Sequence, residues 1–123
     1  QSYPRLLEDG GAPPAMLAAP GGDSGLQHRD ARLALGVDAA GRLILALTRF
    51  DALGPSLGSV PFGLTIPETA LVMRGLGAES GAGVDGGLSA QLLLRDAGGE
   101  THRWPGLRAV PLGLSAVPVR GEP

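Results

Sequence analysis

The strongest structural signal in the sequence is RLALGVD-AAG-RLILALT, which occupies residues 32–48. Two nearly continuous apolar runs flank a short turn that contains Asp38 and Gly41, an arrangement typical of a β-hairpin. Neither run alternates with polar residues, so we expect the hairpin to be central and covered on both faces. Asp38 is then the turn residue of the hairpin and not a catalytic group.

One main helix is predicted after this hairpin. Residues 50–63 are rich in Gly, Pro and Ser and are expected to form a connection. Thr65 then begins a Thr-Ile-Pro-Glu capping box, in which Thr65 caps the helix and Glu68 reaches back to it. Proline is compatible with the first turn, and the Gly-Leu-Gly sequence at 75–77 predicts the end. The helix is therefore expected near residues 66–76.

Shorter strand signals lie at both ends of the chain. Residues 1–10 predict a short strand that ends in an Asp-Gly turn. Residues 91–94 and 100–104 flank an Asp-Ala-Gly-Gly turn and predict a second hairpin. The last apolar run, residues 110–117, contains Pro111 and is expected at an edge or end of the sheet.

The remaining segments carry turn residues and little apolar pattern. Gly, Ala, Pro and Asp dominate residues 11–30, which we interpret as a flexible loop and not as a helix despite its alanines. Residues 119–123 are expected to be a disordered tail. The order of elements predicts an α+β fold with a mostly antiparallel sheet, hairpins and one main helix.

Composition narrows the class of protein. The 123 residues are enough for one domain or part of one, and the 21 glycines and 11 prolines indicate a loop-rich globular domain. A net charge of −2 without any lysine argues against nucleic acid as a partner. The absence of cysteine excludes disulfides, thiolate metal sites and cysteine nucleophiles. No run approaches the roughly 18 apolar residues of a membrane span. The chain begins with Gln and is expected to be excised from a longer protein.

The candidate for chemistry is a polar turn that follows a short apolar lead. Asp85, Gly86 and Gly87 come in succession, and Ser89 stands two residues further on. The glycines allow backbone amides to face a ligand closely, while the carboxylate accepts a proton or orients a hydroxyl. The other interpretation is an ordinary Asp-Gly turn that joins two buried strands.

Arg32 is the second candidate, because it begins a strand that is otherwise apolar and follows a carboxylate-rich loop. An arginine there can clamp phosphate or carboxylate through two hydrogen bonds, although an arginine extending into solvent from a strand end explains it equally well. His28 and His102 are far apart in the sequence and lack ligand spacing, so we expect no metal site and no cofactor. Serine-hydrolase, Walker and dinucleotide motifs are also absent.

Four motifs in register resemble the phosphodiester glycosidase family. They are RLALGVDAAGRLIL at 32–45, TIPETA at 65–70 with LGA at 76–78, VDGGLSAQL at 84–92, and VPLGL at 110–114. PRLLEDG at 4–10 also resembles the segment that precedes the hairpin in this family. The resemblance runs in order over nearly the whole chain.

The resemblance implies hydrolysis of a sugar-1-phosphodiester to free sugar and a phosphomonoester. Arg32 matches the strand-initial arginine of the family, and Asp85, Gly86, Gly87 and Ser89 match its Asp-Gly-Gly-x-Ser turn. Arg32 and Asp85 would then be catalytic, with the arginine and the glycine amides holding the phosphate. The glycines and Ser89 would bind substrate.

The family also implies a setting and a missing part. The chain would be the C-terminal part of a larger domain, with the N-terminal part as its partner and a sugar phosphodiester or polysaccharide as its ligand. An extracytoplasmic location, periplasmic, envelope-associated or secreted, in a bacterium is expected. A partner for Asp85 is then sought in the missing part, because glycoside hydrolysis ordinarily needs two carboxylates.

Three positions depart from the family pattern. Leu33 stands where the family usually has Thr or Ser, Gly83 where it usually has Asn, and Leu88 where a small residue is common. Two polar side chains expected near the site are therefore absent. This leaves open a noncatalytic carbohydrate- or envelope-binding module that uses the same turn.

Overall fold

An antiparallel sheet packs against one helix in the described residues, which are 4–18, 25–49, 63–111 and 113–117 of this computed structural model. The elements are β1 (Arg5–Leu7), α1 (Ala15–Ala18), β2 (Arg32–Asp38), β3 (Leu43–Thr48), α2 (Ile66–Gly75), β4 (Ala78–Gly86), β5 (Leu92–Arg95) and β6 (Thr101–Trp104). The main sheet has the order β1-β4-β2-β3, and β5 pairs with β6 separately. The predicted α+β class, with a mostly antiparallel sheet and one main helix, is confirmed.

The predicted hairpin is confirmed as β2 and β3, whose register runs from the Arg32–Thr48 pair to the Val37–Leu43 pair. Its turn is built by Asp38. The Oδ1 atom of Asp38 accepts the amide of Ala40 at 2.9 Å and that of Arg42 at 2.8 Å. These hydrogen bonds and the Arg42 guanidinium hold the pKa of Asp38 below its ordinary value. The carboxylate is thus occupied by the turn, as predicted.

The expectation that this hairpin is central and covered on both faces is wrong for the described residues, because β3 lies at the edge of the sheet and one face is partly exposed. One face packs on the core, where Ala34 is fully buried and Ile44 and Ala46 contact the core cluster. On the other face Leu43 and Leu45 remain 51% and 45% exposed. A continuous apolar run indicates that both faces of a strand are apolar, but it does not identify an element that covers them.

The strand β4, one of the two inner strands of the sheet, is longer than the short apolar lead seen in the sequence. It pairs with β1 on one side and β2 on the other. Gly36, on the neighbouring strand β2, permits β2, β4 and the helix to pack closely. A Cβ at this position would lie 2.7 Å from Met73 Cε and 2.9 Å from the Ser80 carbonyl oxygen. Glycine in a strand interior commonly marks such a close approach of other backbone.

The helix begins and ends where the sequence predicts. The Thr65 hydroxyl accepts the Glu68 amide at 3.2 Å, and Glu68 Oε2 accepts the Thr65 amide at 2.9 Å. Gly77, just past the helix, has a φ of 91°, which favours glycine. The helix packs its apolar side into one core cluster, whose buried members are Leu6, Leu7, Leu17, Ala34, Ile66, Ala70, Met73 and Ala78.

Two predictions at the ends of the chain need correction. A single helical turn, α1, lies inside the stretch interpreted as a loop, and its Leu17 is buried in the core. Burial of this one leucine stabilises a helical turn that is too short to be stable alone. The described residues of 110–117 form no strand, and Leu114 is 76% exposed. Proline, which lacks an N–H, weakens strand pairing there.

The remaining predictions concern two elements that the structure confirms and two segments that lie wholly or mostly outside the described residues. The N-terminal strand and the second hairpin are confirmed as β1 and as β5 with β6. The predicted tail at 119–123 and most of the connection at 50–63 lie outside the described residues. Among the residues that the structure describes, no helix is long and apolar enough to cross a bilayer.

Candidate active site

A cleft of about 250 Å³ lies where β2 begins and β4 ends. Arg32 pairs in register with Gly86, and Leu33 pairs with Asp85, so the sheet brings the two candidate segments together. Arg32, Asp85 and Gly86 line the cleft. Gly87 and Ser89 form the 3-10 turn that follows directly. The predicted site residues therefore belong to one place in the fold.

The Asp85 carboxylate is half-buried and held by its own turn. Its Oδ1 atom accepts the Gly86 amide at 2.8 Å and lies 2.9 Å from the Ser89 hydroxyl, which donates to it. The Oδ2 atom has no hydrogen-bond partner among the described residues. One oxygen thus fixes the orientation of the carboxylate, and the other is available to a ligand.

Arg32 is fixed by two backbone carbonyls. Its Nε donates to the Leu64 oxygen at 2.9 Å, and its Nη2 donates to the His28 oxygen. Partial burial lowers the pKa of Arg32, and the negative charge of Asp30 opposes that shift. A guanidinium stays charged in proteins, so its remaining N–H groups can bind an anion. The contacts hold the guanidinium at the cleft instead of letting it extend into solvent.

The two glycines shape the cleft through close packing. A Cβ on Gly86 would lie 3.1 Å from both the Ala31 oxygen and Arg32 Nη1. Gly87 has a φ of 66°, and a Cβ there would lie 2.8 Å from Asp30 Oδ2. Their amides are already bonded, that of Gly86 to Asp85 and that of Gly87 to the Ala31 oxygen at 2.9 Å. The glycines thus let charged side chains approach the turn, and their N–H groups are used within the protein.

Asp30 is the site residue that sequence reasoning missed. It lines the same cleft, its Oδ1 accepts the Ala31 amide at 2.9 Å, and its Oδ2 packs against Gly87. Asp30 lies two residues before Arg32, and residues two apart point to the same side of an extended chain. That spacing was the available signal, and it was overlooked because Asp30 ends a loop.

Glu68 forms hydrogen bonds outside the cleft. Arg29 binds it through two hydrogen bonds, Nη2 to Oε1 at 2.6 Å and Nη1 to Oε2 at 2.9 Å. The hydrogen bond from the Thr65 amide, followed by those from Arg29, lowers the pKa of Glu68. Glu68 caps the helix and holds the preceding loop, and it does not line the cleft.

A second polar cluster lies on the β5–β6 hairpin. Asp96, Glu100 and His102 each place one potential metal-ligand atom within 4.8 Å of the others. The Oδ1 atom of Asp96 accepts the Glu100 amide at 2.9 Å, and its Oδ2 lies 3.1 Å from His102 Nε2. These contacts close the hairpin turn and account for the cluster. Neither His28 nor His102 lines the cleft.

The fold and cleft define an α+β domain that presents a guanidinium and two carboxylates at the ends of neighbouring antiparallel strands. Residues 1–116 match the sequence profile of a family described as phosphodiester glycosidase. Because the match covers most of the chain, the chain belongs to the phosphodiester glycosidase family. No curated protein matches it significantly.

A solved structure adds a fold-level relative. It is the crystal structure of a hypothetical protein from Synechocystis, with 29% sequence identity and a TM-score of 0.52. The match covers 69% of this chain and 15% of that chain. The chain therefore spans a small part of the length of this relative.

Proposed function

We propose that this chain supplies part of the active site of a hydrolase that cleaves a sugar-1-phosphodiester to free sugar and a phosphomonoester. The observation that carries the proposal is the placement of Asp85 and Arg32 in one cleft, each fixed by contacts of its own. Membership of the phosphodiester glycosidase family supports the class of reaction.

The proposed roles follow from the available atoms. Arg32 binds a phosphate oxygen through the N–H groups that its two backbone carbonyls do not use. Asp85 handles a proton or a sugar hydroxyl through Oδ2, while Ser89 holds Oδ1 in place. Water adds its hydroxyl to the sugar carbon as the glycosidic C–O bond breaks. The phosphoryl group leaves as a monoester, and one proton is released or taken up by a base.

Completion of the site by another part of the same protein belongs to this proposal, and so does an extracytoplasmic location in a bacterium. The chain matches 15% of its solved relative, so most of such a protein would lie elsewhere in its sequence. The exposed leucines on one face of the β2–β3 hairpin are suited to contact with that part. The ligand would be a sugar phosphodiester or a phosphodiester-linked polysaccharide.

The second candidate function is a noncatalytic carbohydrate- or envelope-binding module. Leu33 lines the cleft beside Asp85, where the family pattern leads us to expect a hydroxyl group. An apolar side chain at this position removes a hydrogen-bond donor from the site. Binding with little or no turnover would follow if that donor is needed for chemistry.

The test compares the full-length protein with its Asp85→Asn variant in release of phosphomonoester from an N-acetylglucosamine-1-phosphodiester. We expect kcat/KM to fall by at least about 100-fold, the usual contribution of general acid-base catalysis. Asp9→Asn is the matched control, because the Asp9 side chain is 92% exposed in a turn. It should leave turnover unchanged.

Thermal unfolding of all three proteins separates chemistry from folding. Equal melting temperatures with loss of turnover in Asp85→Asn alone would support hydrolysis. A folded wild type without turnover on several sugar phosphodiesters would favour the binding module. Equal turnover in wild type and Asp85→Asn would refute the role given to Asp85.

A further inference from the structure

The cleft carries more negative than positive charge. Its charged lining residues in the described part of the chain are Asp30, Arg32 and Asp85. The sum of their formal charges is −1, although the expected ligand is an anion. Additional cationic side chains would increase the affinity of such a cleft for phosphate.

Asp30 is placed by several independent contacts. Its Oδ1 accepts the Ala31 amide, and its backbone forms an antiparallel bridge with Leu64, whose carbonyl also holds Arg32. Its Oδ2 approaches Gly87, a residue in the left-handed region that lacks the Cβ that would collide with the carboxylate. The side chain is 33% exposed, so its charge is partly shielded from solvent.

The effect of this charge depends on the charge of the ligand. The repulsion between a carboxylate and an anion is proportional to the anion's charge, so a dianion is repelled twice as strongly as a monoanion at the same position. A phosphodiester carries one negative charge, and a phosphomonoester carries close to two at neutral pH. A second carboxylate beside the arginine therefore discriminates between the two.

We propose that Asp30 is a specificity-determining residue that makes the cleft accept singly charged phosphodiesters and reject doubly charged phosphomonoesters. The inference rests on the proposed function for the identity of the ligand. Within that function, Asp30 would also favour release of the phosphomonoester product. The role differs from that of Asp85, because Asp30 acts through charge and needs no proton transfer.

The test uses two unreactive probes, dimethyl phosphate as the monoanion and methyl phosphate as the dianion. Binding to the full-length protein is followed by NMR titration at pH 8 and low ionic strength. Wild type, Asp30→Asn and Asp9→Asn are compared. Asparagine keeps an oxygen that can accept the Ala31 amide, so the main change is the charge.

The expected signature is a ratio. If Asp30→Asn tightens dimethyl phosphate binding by about threefold, the linear dependence on charge predicts about ninefold for methyl phosphate. Asp9→Asn should change neither value. Wild type should prefer dimethyl phosphate, and this preference should shrink as salt screens the carboxylate. The salt series tests the proposal in the wild type alone, should Asp30→Asn fold poorly.

Several results would overturn the inference. These are an equal change for both probes, the same change in Asp9→Asn, a wild-type preference that salt does not alter, or no binding of either probe. The turnover assay on the same samples separates the two proposals. Turnover without charge discrimination refutes the role of Asp30 only, and discrimination without turnover refutes hydrolysis only.

Discussion

Substitution of Gly87 by alanine should lower the free energy of unfolding more than the same substitution at Gly41. Both glycines are in the left-handed region, with φ of 66° and 76°. A Cβ at Gly41 would meet nothing within 4 Å, whereas a Cβ at Gly87 would lie 2.8 Å from Asp30 Oδ2. The two substitutions thus impose the same left-handed backbone conformation on an alanine, and they differ in the contact with Asp30.

The expected magnitudes follow from these two differences. An alanine in the left-handed region costs about 1–2 kcal/mol, which applies to both variants. The close contact at Gly87 should add about 1–3 kcal/mol, the usual range for steric overpacking, because Asp30 must move or the turn must shift. Movement of Asp30 should also alter the binding of methyl phosphate, which Gly41→Ala should leave unchanged.

Urea denaturation measures the free energy of unfolding of both variants, and the NMR titration with methyl phosphate measures the second effect. Equal losses of stability, within about 0.3 kcal/mol, with unchanged binding would refute the packing of Asp30 against Gly87 and the construction of the cleft that depends on it.

Two further predictions concern the frame around the site. Gly36→Ala would place its Cβ 2.7 Å from Met73 Cε and should lower the free energy of unfolding, measured in urea, by at least about 2 kcal/mol. Gly75→Ala is the control, because a Cβ there would meet nothing within 4 Å. Equal effects of the two substitutions would contradict the close packing at Gly36. Glu68 has a lowered pKa, so its stabilisation is present above the unfolded value of about 4.3 and is lost as pH falls through the folded pKa. Glu68→Gln should therefore show a flatter loss of stability below about pH 4.5, and parallel acid denaturation curves would contradict this.

The sequence predicted the features that depend on neighbours in the chain. The capping box needs only Thr65 and Glu68, three residues apart, and the hairpin turn needs only Asp38 and the residues that follow it. Such signals are read correctly because their hydrogen bonds close within a few residues.

Features that depend on distant contacts were read less well. The strand β4 contains few residues with strand preference, and pairing with β1 and β2 on its two sides stabilises it nonetheless. Leu17 stabilises a helical turn because it is buried in a core that is assembled from the rest of the chain. Asp30 joins the site through contacts with distant residues, the bridge to Leu64 and the space that Gly87, 57 positions later, leaves for its carboxylate.

Arg32 has a consequence for the interpretation of mutational scans. The carbonyl of Leu64 that holds Arg32 directly precedes the Thr65 cap, so the start of the helix and the charged group of the cleft share one support. Substitutions that loosen the cap would shift the guanidinium although they contact no ligand. Loss of activity in such variants would report a displaced support, and positions 65 and 68 would be mistaken for participants in the chemistry unless stability were measured beside turnover.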